Sequence, residues 1–282
     1  MNAVPLQAFW WPAENFGDCL TETICAQQGL RVQHARPHFA QLIGVGSILE
    51  RAPASFAGYI FGTGFMHEHN RRSLPQARAL AVRGPLTWER IGRPADCVLG
   101  DPGLLARHLL AEVPRPRFKL GVVLHYADQQ RAALEQLAAR NPAEVRWIDV
   151  RRPPLEVIHA IATCEGIVSS SLHGLIVADA LQIPSAWKWA DEVLGQGFKF
   201  FDHAAAVQSS RKPLALNSEL KLATVLSQLS APPPHANVVA SELHHLLTEL
   251  PQLLLREPRR PRLPWLRYSV AKVQRLLRLK AA

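Results

Sequence analysis

With 282 residues, 48% of them hydrophobic, the chain is long enough for one large or two ordinary domains with sizeable cores. Its formal charge of +9 does not mark a nucleic-acid binder: residues 256–282 hold nine Lys or Arg against one acid, and the rest of the chain is nearly neutral. No run of about 18 uncharged apolar residues is present to cross a membrane as a helix, and the opening "MNAVPLQAFWWPAENFGD" lacks the basic and apolar regions of a secretory signal.

The first half alternates short apolar runs with helical stretches. "AFWWP" (8–12) predicts a strand and "NFGDCLTETICAQQG" a turn into a helix. "QLIGVGSILE" (41–50), "GYIFGTGF" (58–65) and "ALAVRG" (79–84) predict short strands running into glycine loops. "PLTWERIG" (85–92) predicts a helix, with Pro85 suited to its first turn and Gly92 to its end. "CVLGDPGLLA" (97–106) predicts another strand and turn. The four cysteines, Cys19, Cys25, Cys97 and Cys164, form no CxxC pair and no zinc spacing, and are expected to be reduced, mostly buried thiols of a cytosolic protein.

"EVPRPRF" (112–118) predicts a linker, and a second α/β pattern follows it. "KLGVVLHY" (119–126), "VRWIDV" (145–150), "EGIVSS" (165–170) and "PSAWKW" (184–189) predict strands. Helices are predicted over 128–141, 153–164 and 172–182, and a leucine-rich helix over 238–255. No G-x-G-x-x-G follows the first strand of this half, so a dinucleotide fingerprint is absent. The expected fold is α/β: two Rossmann-like domains, 1–115 and 116–255, facing each other across a cleft where the strand ends converge. In the tail, 256–282, the apolar line through Leu266, Val270, Val273 and Leu277 lies away from Arg267, Lys272, Arg275 and Arg278. That pattern predicts a basic amphipathic helix suited to an anionic membrane surface. A solvated or docked C-terminal helix is the alternative.

The densest chemistry sits in "SSSLHG" (169–174), where a strand gives way to a helix. Ser171 suits the N-cap. The N–H groups of Leu172, His173 and Gly174 would then be free to hold phosphate or carboxylate, with Ser169 and Ser170 adding hydroxyls. Gly174 would leave room for close approach, and His173 could give a proton to an anionic ligand. "HEH" (67–69) has alternate histidines but no further carboxylate or thiolate, and no metal site is expected.

"GIVSSSLHGLIVADALQIPSAWKW" resembles the signature of the polysaccharide pyruvyltransferases. So do "NFGDCLT" (15–21), "GVGSIL" (44–49), "IFGTGF" (60–65), "VRGPLT" (82–87) and "LGDPGLL" (99–105), in the same order, so that the resemblance spans about residues 9–190. It points to the branch that adds ketal pyruvate to exopolysaccharide repeat units, in a GT-B-like layout. What it implies is transfer from phosphoenolpyruvate as co-substrate, without a further cofactor, to a lipid-linked oligosaccharide. The place implied is the cytoplasm, peripheral on the inner face of the cytoplasmic membrane.

The resemblance makes His173 the candidate acid. Arg83, in "AVRGPLT", and Lys188 are candidates for the donor's anionic groups; a surface salt bridge is the alternative for Arg83. Asp18 could orient a sugar hydroxyl or take its proton, with Asn15 and Gly17 shaping that loop on the acceptor side. Asp18 equally fits an N-cap of the following helix. Asp101 is expected to form a turn. Where many family members have arginine two residues before the histidine, this chain has Ser171; Arg83, Lys188 and Lys199 are candidates for the missing cation. Two other readings remain: a glycosyltransferase of the same layout using a nucleotide sugar, and a non-catalytic glycan-binding paralogue.

Overall fold

The computed structural model describes residues 5–190, 195, 197–214 and 220–256. The first half of the chain builds a six-stranded parallel sheet from β1 (Leu6–Phe9), β2 (Val32–His34), β3 (Leu42–Ile43), β4 (Tyr59–Phe61), β5 (Arg78–Val82) and β6 (Val98–Leu99). The strands lie in the order β2-β1-β3-β4-β5-β6. The second half builds a five-stranded parallel sheet from β7 (Leu120–Val123), β8 (Val145–Trp147), β9 (Ile167–Ser169), β10 (Ser185–Lys188) and β11 (Pro213–Leu214), in the order β11-β10-β9-β7-β8. Two parallel α/β units are what the alternation of apolar runs and helical stretches predicts.

The central strands are buried on both faces. β7, "LGVV", is buried at every position, which is why it reads as an unbroken apolar run and not as an alternation. The helices are α1 (Leu20–Gln27), α2 (Pro85–Arg90), α3 (Ala132–Arg140), α4 (Pro154–Ala162), α5 (Leu172–Ala180), α6 (Phe198–Ala206), α7 (Leu222–Ser227) and α8 (Ala236–Arg256). All nine residues of α5 are buried. It lies between its own strands β9 and β10, helix α4 and a 3-10 helix, Pro102–Leu109, that follows β6 of the first unit. A helix covered on every side needs no polar face, and "LHGLIVADA" has almost none.

Several local expectations change. The strand predicted over 41–50 pairs only at Leu42–Ile43, and the chain then passes through Gly46, at φ +122°, into a 3-10 turn at Leu49–Arg51. α1 starts at Leu20 with Cys19 at its N-cap and no side-chain cap, so Asp18 does not serve that helix. β2, β11, α6 and α7 were not foreseen; the first two are too short to show a period of two, and α6 opens with the aromatic run "FKFF". α8 packs back on β6 and the 3-10 helix Pro102–Leu109. Residues 257–282, with the basic helix predicted there, lie outside the described residues. Among the described residues no helix is long and apolar enough to cross a membrane. All four cysteines are free; burial pushes the Cys25 thiol up to about 12 and the Cys164 thiol up to about 11.

Candidate active site

A cavity of about 290 Å³ lies where the two units meet. The first unit lines it with Asn15, Asp18 and Ser47; the second with His125, Ser171, Leu172 and His173; α6 adds Lys199. The half-exposed rings of Trp11 and Tyr126 also line it, as do Glu50, Arg51 and His67 of the first unit. The strand-to-helix turn predicted from "SSSLHG" is present: β9 ends at Ser169, Ser171 is the N-cap, and α5 begins at Leu172. The start of α5 thus borders the cavity through Ser171, Leu172 and His173, at the helix end whose N–H groups lack intrahelical acceptors.

His173 is held on three sides. A β-carbon at Gly17 would lie 2.1 Å from its Nδ1 and 2.4 Å from its Cγ, so the imidazole rests where a side chain at Gly17 would be. Phe16 meets the ring edge-on, with centroids 6.3 Å apart. Nε2 points toward Asp101 Oδ2, 3.7 Å away. Asp101 also forms the turn expected of it, since its Oδ1 accepts the Gly103 N–H at 2.8 Å.

Asp18 and Lys199 supply opposite charges to the same cavity. Asn15 Nδ2 donates to Asp18 Oδ2 at 3.0 Å, and Asn15 Oδ1 accepts the Gly17 N–H at 3.3 Å, which fixes the loop. Burial raises the pKa of Asp18, opposed by the charges of His173 and Lys199. Burial, then the charge of Arg83, lowers Lys199 to about 8, with Asp18 opposing. Lys199 Nζ has no hydrogen-bond or ion-pair partner among the described residues; it lies 5.6 Å from the centre of the Phe200 ring. Burial, then Lys199, lowers His125 to about 4, which keeps that imidazole neutral at the cavity wall.

The other predicted cations lie elsewhere. Arg83 is fully buried and none of its atoms lines the cavity. Its Nε bonds Asp202 Oδ2 at 3.0 Å, Nη1 bonds Ser47 Oγ at 2.6 Å, and Nη2 bonds the Phe65 carbonyl at 2.6 Å. This is an internal ion pair, not the surface salt bridge held as the alternative. Asp202 also accepts from the Thr87 N–H and hydroxyl, so α6 is tied to the first unit. The link requires Gly84, where a β-carbon would lie 2.0 Å from the Asp202 carbonyl oxygen.

Lys188 is likewise fully buried, with Nζ 2.9 and 3.0 Å from the two carboxylate oxygens of Asp128. The first two serines are engaged in the same packing. Ser170 Oγ donates to Asp128 Oδ2 at 2.6 Å, while Ser169 Oγ lies 2.7 Å from the Val123 carbonyl and accepts the Ser171 N–H at 3.0 Å. Gly174 faces the Ser169 hydroxyl, 2.3 Å from where its β-carbon would be, so its missing side chain serves packing on β9. His67 and His69 stack on each other with centroids 5.4 Å apart. Among the described residues no three His, Cys, Asp or Glu side chains are grouped to hold a metal ion.

Residues 38–191 match the model of the polysaccharide pyruvyl transferase family, from just before β3 to just past β10. The chain belongs to the polysaccharide pyruvyl transferase family. It is 27% identical over 213 residues to the succinoglycan biosynthesis protein ExoV of Rhizobium meliloti, a match covering 66% of this chain and 63% of that one. It is 33% identical over 114 residues to the uncharacterized protein L143 of Acanthamoeba polyphaga mimivirus, covering 39% of each chain. The chain thus spans less than two thirds of either relative. Within this family member, the residues that sequence reasoning passed over include Trp11, Glu50, Arg51, His125 and Tyr126, which line the cavity, and Asp128 and Asp202, which engage Lys188 and Arg83. No local pattern marked Asp128 or Asp202, whose partners lie 60 and 119 residues away.

Proposed function

We propose that the protein transfers pyruvate as a ketal from phosphoenolpyruvate to a sugar of a lipid-linked exopolysaccharide repeat unit. The observation that carries this reading is the company Lys199 keeps. A lysine without an anionic or hydrogen-bonding partner among the described residues faces the cavity that also holds His173, Asp18 and the start of α5. A buried cation beside a helix N-terminus suits a small dianion, and phosphoenolpyruvate carries a phosphate and a carboxylate. Lys199 takes the place of the cation missing at Ser171. Arg83 and Lys188 act behind it, the first by fixing α6, the second by fixing Ser170 through Asp128.

In this reading His173 gives a proton to C3 of the enol, leaving positive charge at C2. Two sugar hydroxyls attack C2 as the C2–O bond to phosphate breaks. Of the two hydroxyl protons, one replaces the proton given to C3 and the other leaves with phosphate. Asp18, whose ionised carboxylate is made a stronger base by burial, orients a hydroxyl and takes a proton on the acceptor side, in the loop shaped by Asn15 and Gly17. The donor is placed on the side of the second domain, 116–255, and the acceptor on that of the first, 1–115. No cofactor beyond the co-substrate is needed for this balance.

The test is phosphate release from phosphoenolpyruvate by purified protein, with and without membrane extract bearing lipid-linked oligosaccharide. The reading requires acceptor-dependent release. Absence of release together with binding of a nucleotide sugar would replace it with glycosyl transfer. The tail belongs to the same proposal as an anchor on anionic lipid. Flotation with anionic vesicles, lost on deleting 257–282, is the expected result; flotation that survives the deletion would contradict it.

A further inference from the structure

Two buried polar atoms of the described residues face each other without a hydrogen-bond partner, His173 Nε2 and Asp101 Oδ2. They are 3.7 Å apart, with side chains 7% and 1% exposed. Unpaired groups this deep are rare, and two that face each other imply a bond made in another state of the site. Hydrogen bonds of this kind are commonly long in the free protein and shorten with substrate bound. The two residues come from different units. Asp101 follows β6 and caps the 3-10 helix Pro102–Leu109, whereas His173 lies in the first turn of α5. Asp101 Oδ1 is occupied by the Gly103 N–H at 2.8 Å, which orients the carboxylate and leaves Oδ2 for the imidazole.

We infer that Asp101 is the positioning residue for His173. Its Oδ2 accepts the Nε2–H, which fixes the ring and leaves Nδ1, beside Gly17, to exchange a proton in the cavity. The carboxylate also stabilises the imidazolium before the proton is given up. Burial alone would raise the Asp101 carboxyl, but the nearby imidazole of His173, the Gly103 N–H and the charge of His203 hold it below its usual value. It is therefore an anion throughout the neutral range. The other titratable groups around the imidazole are Asp18, His125 and Lys199. The kinetic consequence rests on the proposed transfer; the tautomer does not.

The test is long-range proton–nitrogen NMR of imidazole-labelled full-length protein, with the His173 signals assigned by their loss in His173→Gln. The native protein is expected to carry neutral His173 as the Nε2–H tautomer. In Asp101→Asn the amide can still accept the Gly103 N–H but presents N–H to the ring. The tautomer should switch to Nδ1–H, the ring should titrate at lower pH than in the native protein, and the melting temperature should hold. Turnover of phosphoenolpyruvate should fall about 10²-fold with its KM little changed. Native His173 in the Nδ1–H form, or an unchanged titration in a folded Asp101→Asn protein, would overturn the assignment. The native tautomer alone decides it if that variant does not fold. An Nε2–H tautomer that switches as stated, in a protein that never turns over phosphoenolpyruvate, would retain the role of Asp101 and reject the donor.

Discussion

Gly17 of the first unit and His173 of the second are in such close contact that a β-carbon on Gly17 would fall 2.1 Å from the imidazole Nδ1. The contact is with a buried ring packed edge-on against Phe16, not with the end of a flexible chain. Gly17→Ala must push the ring or the "NFGD" loop aside. Displacing a proton donor by about an ångström costs about 10²-fold in rate. Turnover in Gly17→Ala should fall by that order while the circular dichroism spectrum is retained. Full activity would show that the imidazole has no fixed place.

Lys199 links donor binding to pH. Its folded value, about 8, lies below the ordinary lysine value of 10.5 because burial disfavours the charge. Donor affinity should therefore weaken as pH rises through about 8, since the cation is lost. Stability should move the other way. Between the folded and unfolded values the unfolded chain binds the extra proton, so this group makes the protein more stable as pH rises through that window. Lys199→Met should remove the pH dependence of donor binding, weaken it at pH 7, and raise stability at pH 7 by about 3 kcal/mol. Isothermal titration with phosphoenolpyruvate and urea unfolding at two pH values check both halves. Tight donor binding by Lys199→Met would remove Lys199 from the donor site.

Arg83 and Asp202 form a fully buried pair at 3.0 Å between the first unit and α6. Removing one partner leaves an uncompensated buried charge, at about 3–5 kcal/mol. Asp202→Ala should lose that much stability by urea unfolding. Arg83→Met combined with Asp202→Leu should recover part of it, because neither charge is then stranded. If the single change leaves stability intact, Arg83 is free to serve the cavity directly.

How much of this was legible in the sequence depended on what each residue touches. The strand-to-helix turn at Ser169–Leu172 was readable because it is local: apolar run, serine cap, helical run. So was the buried character of "LGVV". The partners of Arg83 and Lys188 were not, since Asp202 is 119 residues from Arg83 and Asp128 is 60 from Lys188. A basic residue in a family-like motif looks the same whether it faces a ligand or a buried carboxylate. α6 was missed because its polar residues, Lys199, Asp202 and His203, are themselves buried, while Phe201 is exposed, so its sequence does not separate an inner from an outer face. Asp101 was readable as a turn residue from "DPG", but its second oxygen, facing α5, belongs to the fold alone.

The most direct test of the central claim is the fate of the donor's C3. Full-length protein is supplied in deuterium oxide with phosphoenolpyruvate and lipid-linked acceptor, and the product is read by proton and carbon NMR. Protonation of the enol by His173 predicts a ketal methyl group carrying one deuterium, formed in step with phosphate release and lost in His173→Gln. A product that keeps the enol methylene, or ketal formation undiminished in His173→Gln, would contradict the account.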